Sequence, residues 1–557
     1  MSLQFITGNS GNGKTKYLFN RIVKEAKANP RDNYLVIVPE QFTMQTQRQL
    51  VDLSENKAIM NIDVLSFKRL AYRVFDELGI TNLTVLEETG KNLVLRKLAA
   101  QEADKLGIIG RNLNRIGYIS EVKSLLSELV QYNISPEELG RYIASGRLSD
   151  TLSDKLKDVL VLYEAFEKFM QDKYITAEEI LNVLSNVAEE SAILRNSVIA
   201  FDEFTGFTPI QNQLIKKLFV ISKKIYVTLT IDCREDIFKS RGMQELFDMP
   251  KRTVKSLTEM AAFYGIEVEE PIILDKNYRL AENEELSFME QQLFRKRRCS
   301  FKKVPKHIHI DCLRDPKQEL TKIARRINEL VRNENLRYRD IAIVTGDVNI
   351  YAGYVREIFD KYNIPYFIDA TQEILFHPFI EFIRSIPDIA AQNFSADAVF
   401  RFLRCGFSEL LDSEIDVLEN YVLACGVRGK SAWDKKWVRL PKHKAGYDIE
   451  LLNQSREYIM ELLKPVYQVF SDKKSTVKDY VLAIYKLIVL LDIPDKLAKK
   501  EQALLDAGDQ TASKEYGQIY KIVMQLFEKY VAVLGDECMD AEEFTQILDA
   551  GLDAADV

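Results

Sequence analysis

Leu3-Gln-Phe-Ile-Thr-Gly-Asn-Ser-Gly-Asn-Gly-Lys-Thr15 is the stretch on which the fold turns. Residues 3 to 7 are a short apolar run of β-forming residues and read as a buried strand. The run leads without a break into Gly8, Asn9, Ser10, Gly11, Asn12, Gly13, Lys14 and Thr15, a complete phosphate-binding loop. Glycines at 8, 11 and 13 let the backbone curl so that its N–H groups face a polyphosphate, as ATP would supply. Lys14 would reach the β and γ phosphates, and Thr15 would coordinate Mg2+. The continuation TKYLFNRIVKEAKAN carries Tyr17, Leu18, Phe19, Ile22 and Val23 at helical spacing. A chance glycine-rich turn would not have a strand before it, a helix after it and every fixed position filled.

The loop alone names no reaction, because kinases, motors and switches share it. Its counterpart is Ser197-Val-Ile-Ala-Phe-Asp-Glu203, an apolar strand ending in two carboxylates. In such sites the first carboxylate, here Asp202, holds Mg2+ with Thr15, and the second, Glu203, polarises the attacking water. About 190 residues separate Lys14 from Asp202, so a large insertion is expected over residues 86–189. Leu156, Leu160, Tyr163, Phe166 and Met170 recur there at steps of three and four, as helix core positions do. Ser135-Pro136 and the pair Thr176 and Glu179 mark helix starts. YLVIVP at 34–39, IDVLSF at 62–67 and KIYVTLTID at 224–232 read as further buried strands of a parallel, RecA-like sheet.

Basic residues crowd Phe294 to His307, which reads either as a linker or as a nucleic-acid contact. A β-α-β-α-β order follows, with strands expected at HIHIDCL (307–313), DIAIVTG (340–346) and PYFID (365–369). Helices are expected from Asp315 to about Val331 and over about 350–362. From 371 to the end the pattern is helical, and Asp540 and Glu543 cap the last helix. The domain reading is a first lobe over 1–85 plus 190–290, a helical insertion over 86–189, the start of a second lobe over 291–370, and a helical domain over 371–557 that stops short.

Length and composition agree with several packed domains: 557 residues exceed one core, and 46% hydrophobic with 29% charged residues excludes a disordered chain. The longest apolar runs, such as KLIVLL near Leu487, fall short of the roughly 18 residues a membrane span requires. MSLQFITGNS has no signal-peptide pattern, so no membrane partner and a cytoplasmic location are expected. Six scattered cysteines and four dispersed histidines point to reduced thiols rather than a disulfide framework or a zinc site. A net charge of -7 argues against a uniformly basic coat but leaves room for a local basic groove.

Two sheet lobes with helical insertions and one phosphate loop near the N-terminus resemble the superfamily 1 DNA helicases. Leu274-Asp-Lys-Asn-Tyr-Arg279 resembles their fourth motif, which implies that Arg279 touches the γ-phosphate. DEFTGFTPIQ at 202–211 resembles the second motif, with Thr205 and Gly206 departing from the usual polar residues. Closer still is the B subunit of the AddAB helicase-nuclease family. GNSGNGKT, VPEQFTMQTQRQL (38–50), DVLSFKRLAYRVF (63–75), FDEFTGFTPIQ (201–211) and DIAIVTGDVNIYAGYVREIFDKYNIPYFID (340–369) are similar to that family's segments, in order. The resemblance runs through essentially the whole chain and implies an α/β fold of two RecA-like P-loop NTPase lobes with large helical insertions.

It further implies a heterodimer with an AddA-type helicase-nuclease partner, acting on double-stranded DNA ends for homologous recombination and scanning single-stranded DNA for Chi. On that reading Gln41 and Thr43 offer amide and hydroxyl groups to base edges, Phe67 and Tyr72 stack, Arg69 contacts base or phosphate, and Phe204 and Phe207 lie alongside. The bland alternative is that Phe67, Leu70 and Tyr72 simply pack. Only seven residues precede the loop, which leaves no room for an adenine-holding glutamine motif, and CREDIF after the strand at 224–232 lacks the third motif's GDxxQ. ATP binding is therefore a firmer expectation than coupled hydrolysis, with an active superfamily 1 helicase or ATPase as the alternative. The family's C-terminal nuclease and its 4Fe-4S cluster, held by four cysteines, are not identifiable here, and the chain reads as the N-terminal half of a longer polypeptide.

Overall fold

The computed structural model describes residues 1–80, 85–86, 88–107, 118–145, 148–171, 174–295, 299–369, 374, 376–441 and 447–553. Lys296, Arg297 and Arg298 of the basic run, and His443, lie outside the described residues. Contacts divide the chain into two compact units. One comprises Met1–Val85, Leu125–Tyr142 and Met170–Asp311; the other comprises Leu86–Ser124, Ile143–Phe169 and Cys312–Val557.

The first unit is an α/β layer structure around one sheet of seven strands: β1 (Ser2–Gly8), β2 (Tyr34–Ile37), β3 (Ile62–Leu65), β4 (Val198–Phe201), β5 (Lys224–Thr230), β6 (Glu267–Val268) and β7 (Ile272–Leu274). All pairings are parallel, in the order β3-β2-β4-β5-β1, with β6 beside the start of β1 and β7 beside its end. The two-residue alternation explains why the strands are apolar throughout. Leu3, Phe5, Leu35, Ile37, Ile199, Phe201 and Val227 face one core, and Ile6, Tyr34, Val36, Val198, Ala200 and Tyr226 face the other. Because every strand runs the same way, the loops after β1, β2, β3, β4, β5 and β7 all leave from one end of the sheet, where α/β proteins bind ligands.

Helices follow the expected signals. Glu543 N–H donates to the Asp540 carboxylate at 2.8 Å, and the helix Ala541–Asp553 begins there. Thr176 and Glu179 exchange backbone-to-side-chain hydrogen bonds at 2.7 and 3.2 Å, but the box closes a turn: Thr176 ends the short strand Ile175–Thr176 and the helix begins only at Ile180. In the second unit the helices Pro378–Ala391, Ala396–Arg404, Ile449–Ser471, Val477–Leu490 and Gln510–Leu534 enclose a core that includes Phe379, Phe382, Trp433, Ile459, Tyr480 and Phe544. The helix Glu88–Gln101 packs against Gln510–Leu534 and Ala541–Asp553 in the same unit.

The structure corrects one part of the fold reading. The helices Pro316–Asn333 and Val348–Lys361 form and pack through Leu320, Ala324, Ile327, Ile358 and Phe359. The runs 307–313, 340–346 and 365–369, expected as strands, are not in any ladder among the described residues. A β-strand exists only where a neighbour takes up its N–H and C=O groups. These runs have none, and Ile310, Val344 and Phe367 are exposed. The observed architecture is an α/β fold with one parallel sheet and many helices, without a second sheet of RecA type among the described residues.

Candidate functional site

The loop after β1 ends at Gly13, whose left-handed backbone (φ 79°) starts the helix Lys14–Ala28 and turns its free N–H groups toward the loop. Lys14 Nζ donates to the carbonyls of Gly8 and Asn9 at 3.0 and 3.1 Å. Burial lowers its pKa, opposed by the carboxylates of Glu203 and Asp202 and reinforced by Arg279. The loop, the Asp-Glu pair and Arg279 therefore converge on one ammonium.

Thr15 Oγ1 joins the two halves of the site, 3.3 Å from Asp202 Oδ1 and 3.2 Å from Glu203 Oε1. Asp202 is 1% exposed, and Thr228 of β5 donates a hydrogen bond to its Oδ1. Burial raises the Asp202 pKa, against hydrogen bonds from Thr228 and Thr15 that favour the anion. Its Oδ2 is buried with no partner among the described residues. An anionic carboxylate with one orphaned oxygen beside a threonine hydroxyl fits a divalent cation, which would occupy the orphan and offset the burial. No group of three or more His, Cys, Asp or Glu is gathered for a metal among the described residues. Mg2+ held with a nucleotide needs fewer protein ligands, since phosphates and water supply the rest. Glu203 follows with φ 64°. A left-handed backbone in a non-glycine residue costs about 1 kcal/mol or more and is commonest at functional positions; here it swings the carboxylate to Thr15.

The segment after β7 braces the loop from outside. Tyr278 N–H donates to the Gly11 carbonyl at 3.0 Å, Asn277 Nδ2 to the Ser10 carbonyl at 3.0 Å, and Asn12 Nδ2 to the Leu274 carbonyl at 2.5 Å. Arg279 Nη1 lies 3.4 Å from Ser10 Oγ. The Tyr278 ring is 65% exposed and stands beside Gly13. The sequence reading singles out Arg279 from this hexapeptide and passes over Asn277 and Tyr278, although all are adjacent in it. A second network absent from that reading holds Asn9, whose side chain donates to Glu290 at 2.7 Å and accepts from Cys233 N–H at 3.0 Å. Beside it Asp232 is gripped by Arg234 and Arg295, which hold its carboxyl far below the usual range.

Gly11 is the tightest point of the brace. Its φ is 88°, and an added Cβ would lie 2.8 Å from Arg279 Cβ and 2.9 Å from Asn277 Oδ1. Gly11→Ala is expected to lower stability by about 1–3 kcal/mol and weaken ATP binding about tenfold. Gly79→Ala, at φ 69° with open space around it, separates backbone strain from crowding. Melting curves and ATP titrations of both variants check this, and equal ATP affinity for the two would show that crowding at Gly11 is immaterial.

The residues expected to face DNA do not share one environment. Gln41, Arg69 and Tyr72 are exposed, Tyr72 at 40%, and Arg69 Nε sits 3.8 Å from Glu40 Oε1. Lys68 and Arg73 are exposed beside them on the helix Phe67–Leu78, which Ser66 caps by accepting from Arg69 N–H at 3.3 Å. Two residues differ from expectation. Phe67 is 7% exposed and stacks on Phe201 at 5.8 Å, so it is core rather than a base platform. Thr43 is 3% exposed, and its hydroxyl donates to the Glu40 carbonyl at 2.9 Å rather than to a base. Phe204 and Phe207 are half-buried around Phe67 at 5.5 and 6.4 Å. Gln211, part of the second-motif tail, is used as a helix cap with Thr208.

A glycine-rich loop on a parallel sheet, with an Asp-Glu pair one strand away across β5, defines a P-loop α/β domain. The family model described as "ADDB, N-terminal" matches residues 5–290, and the chain belongs to that family. Proteins named as the B subunit of ATP-dependent helicase/deoxyribonuclease match along its length. The one from Lachnoclostridium phytofermentans is 38% identical over 100% of this chain and 49% of its own. Those from Caldanaerobacter subterraneus and Clostridioides difficile are 32% and 31% identical over 99% of this chain and 48% and 49% of theirs. The chain thus spans about half the length of the curated relatives it matches.

Proposed function

We propose that this chain acts as part of the B subunit of a heterodimeric ATP-dependent DNA helicase/exonuclease that processes double-strand breaks for homologous recombination and recognises Chi. The observation that carries the reading is convergence at one end of a single sheet. The loop 8–15, Asp202 with Glu203, Arg279, and the exposed Gln41, Arg69 and Tyr72 all follow carboxyl ends of its strands. ATP with Mg2+ occupies the loop, held by Lys14, Thr15 and Asp202; Tyr278 offers its ring to the base, and Arg279 meets the terminal phosphate. Single-stranded DNA crosses the surface of Gln41, Arg69 and Tyr72, flanked by Phe204 and Phe207. The partner is an AddA-type helicase-nuclease, and the site of action is the cytoplasm. Among the described residues no helix is long and apolar enough to cross a membrane.

The domain reading of a first lobe over 1–85 plus 190–290, an insertion over 86–189, a second RecA-like lobe begun over 291–370 and a helical domain over 371–557 belongs to the same proposal. The packed helices Pro316–Asn333 and Val348–Lys361 support it, while the apolar runs around them pair with no strand among the described residues. The nuclease and the 4Fe-4S cluster are assigned to the other half of the relatives' length.

The test is Gln41→Ala, Arg69→Ala and Tyr72→Ala combined, in the complex with the AddA-type partner. Chi-dependent regulation should be lost while unwinding continues; a normal Chi response would remove the assignment. An active motor is the second reading, favoured by Glu203 lying at hydrogen-bond distance from Thr15. It is weakened by Asp232, which is consumed by two guanidiniums where a third motif would act. DNA-stimulated hydrolysis lost in Glu203→Gln would establish it.

A further inference from the structure

In the second unit, residues 426–441 follow the helix Asp412–Cys425 on the way to the helix Ile449–Ser471, and this stretch is pinned from beneath. Trp433 and Trp437 both turn into the core, ring centroids 5.3 Å apart. The buried Arg456 donates from Nη1 to the Trp433 carbonyl at 2.9 Å. The buried Asn453 accepts from Trp437 N–H and donates to Trp437 C=O, each at 2.9 Å. Trp437 Nε1 donates to the Ala432 carbonyl at 3.0 Å, and the Tyr421 hydroxyl to the Arg439 carbonyl at 2.7 Å. Surface connections are usually the loosest part of a fold. This one is tied at both tryptophans and at Arg439.

What the pinned backbone presents is positive. Arg428, Lys435, Lys436 and Arg439 are exposed, and none has an ion-pair partner among the described residues. Among the arginines of the neighbouring helices, Arg404 is neutralised by Asp416 and Glu419, Arg401 by Glu381 and Asp388, and Arg384 by Asp549. Within the connection Asp434 is taken by Lys430 at 2.5 Å. The four uncompensated cations fall between 428 and 439, on a ledge of backbone tied at Trp433, Trp437 and Arg439.

We infer that this ledge binds the phosphate backbone of duplex DNA; the inference rests on reading the chain as part of a DNA-processing enzyme. Surfaces for single strands combine cations with aromatic rings on which bases stack. Here both tryptophan rings face inward, and the exposed apolar neighbours Val438 and Leu440 are aliphatic. Cations without stacking rings contact phosphates and carry no sequence information, the mode of sequence-independent duplex binding. Lys435 to Arg439 spans at most ~14 Å, enough to reach neighbouring phosphates of one duplex strand.

The experiment uses the full chain, a short blunt duplex and a single strand of equal length, followed by fluorescence anisotropy at several salt concentrations. The variant combines Lys435→Ser, Lys436→Ser and Arg439→Ser. Each lost phosphate contact lowers the salt slope by about 0.9, so the slope should fall by nearly 3, and the wild-type advantage should shrink about forty-fold between about 50 and 200 mM salt. Single-strand and ATP affinities should not change, and Lys435→Arg with Lys436→Arg should retain duplex binding. Duplex affinity and slope equal to wild type in the serine variant overturn the inference and leave the ledge to an acidic protein surface. Loss of ATP and single-strand binding in the wild type, with duplex binding still dependent on the ledge, would instead overturn the proposed function.

Discussion

Lys14→Ala is expected to weaken ATP binding about a hundredfold while leaving the fold intact. Among the described residues the side chain makes its hydrogen bonds to the Gly8 and Asn9 carbonyls of its own loop, so its removal takes no packing from either core. With nucleotide bound, the ammonium would exchange those neutral carbonyls for phosphate oxygens. Charge-assisted hydrogen bonds contribute about 1.5–3 kcal/mol each, and about 2.7 kcal/mol corresponds to a hundredfold. Titration with a fluorescent ATP analogue in Mg2+ reads the effect directly. If the variant bound ATP as tightly as wild type, the loop would be a structural turn and the nucleotide reading would fall.

Acid should destabilise the helical unit through His377. Its Nδ1 accepts from Phe379 N–H at 3.1 Å at the start of the helix Pro378–Ala391, so the neutral ring carries its proton on Nε2. The ring is buried against Tyr516 at 4.4 Å, and its Nε2 has no partner among the described residues. Burial pushes the pKa down to about 4 from 6.5. Below pH 6.5 the unfolded chain takes up a proton that the folded one refuses. The contribution is therefore complete above pH 6.5 and is lost as the pH falls through about 4, by about 3 kcal/mol in all. His377→Asn keeps a cap acceptor without the titration, so its acid limb should be flatter. Glu515 and Glu543, whose pKa values burial raises, act in the opposite direction. The difference between wild type and variant cancels them. Both tryptophans, Trp433 and Trp437, lie in this unit, so urea unfolding followed by their fluorescence reports on it alone. Parallel pH profiles for the two proteins would show that His377 does not titrate in this window.

How much is legible in the chain follows from how local each signal is. The loop 8–15, the helix after it and the strand ending at Asp202 and Glu203 are readable because their determinants lie within a few residues: glycines for the turn, apolar alternation for the strands, caps for the helices. Asp315 and Asp540 mark helix starts by the same local chemistry. Consecutive residues are therefore enough to specify a P-loop on a parallel sheet, with its acidic partners named, and a helical C-terminal half.

Which residues face outward and which strands pair is set by the folded chain as a whole. Phe67 and Tyr72 lie five residues apart on one helix, yet one is core beneath Phe201 and the other is exposed, because which face is covered depends on strands more than a hundred residues away. The segment 274–279 contributes a brace of backbone hydrogen bonds to Gly11, which no pattern in its side chains announces. The runs 307–313, 340–346 and 365–369 have the composition of strands, but a strand also needs a neighbour to complete its hydrogen bonds, and none is paired there. The cations at 428–439 become a rigid ledge only because Trp433, Trp437, Asn453 and Arg456 meet beneath them. Turn, cap and periodicity are written in consecutive residues; burial, pairing and rigidity depend on residues far apart in the chain.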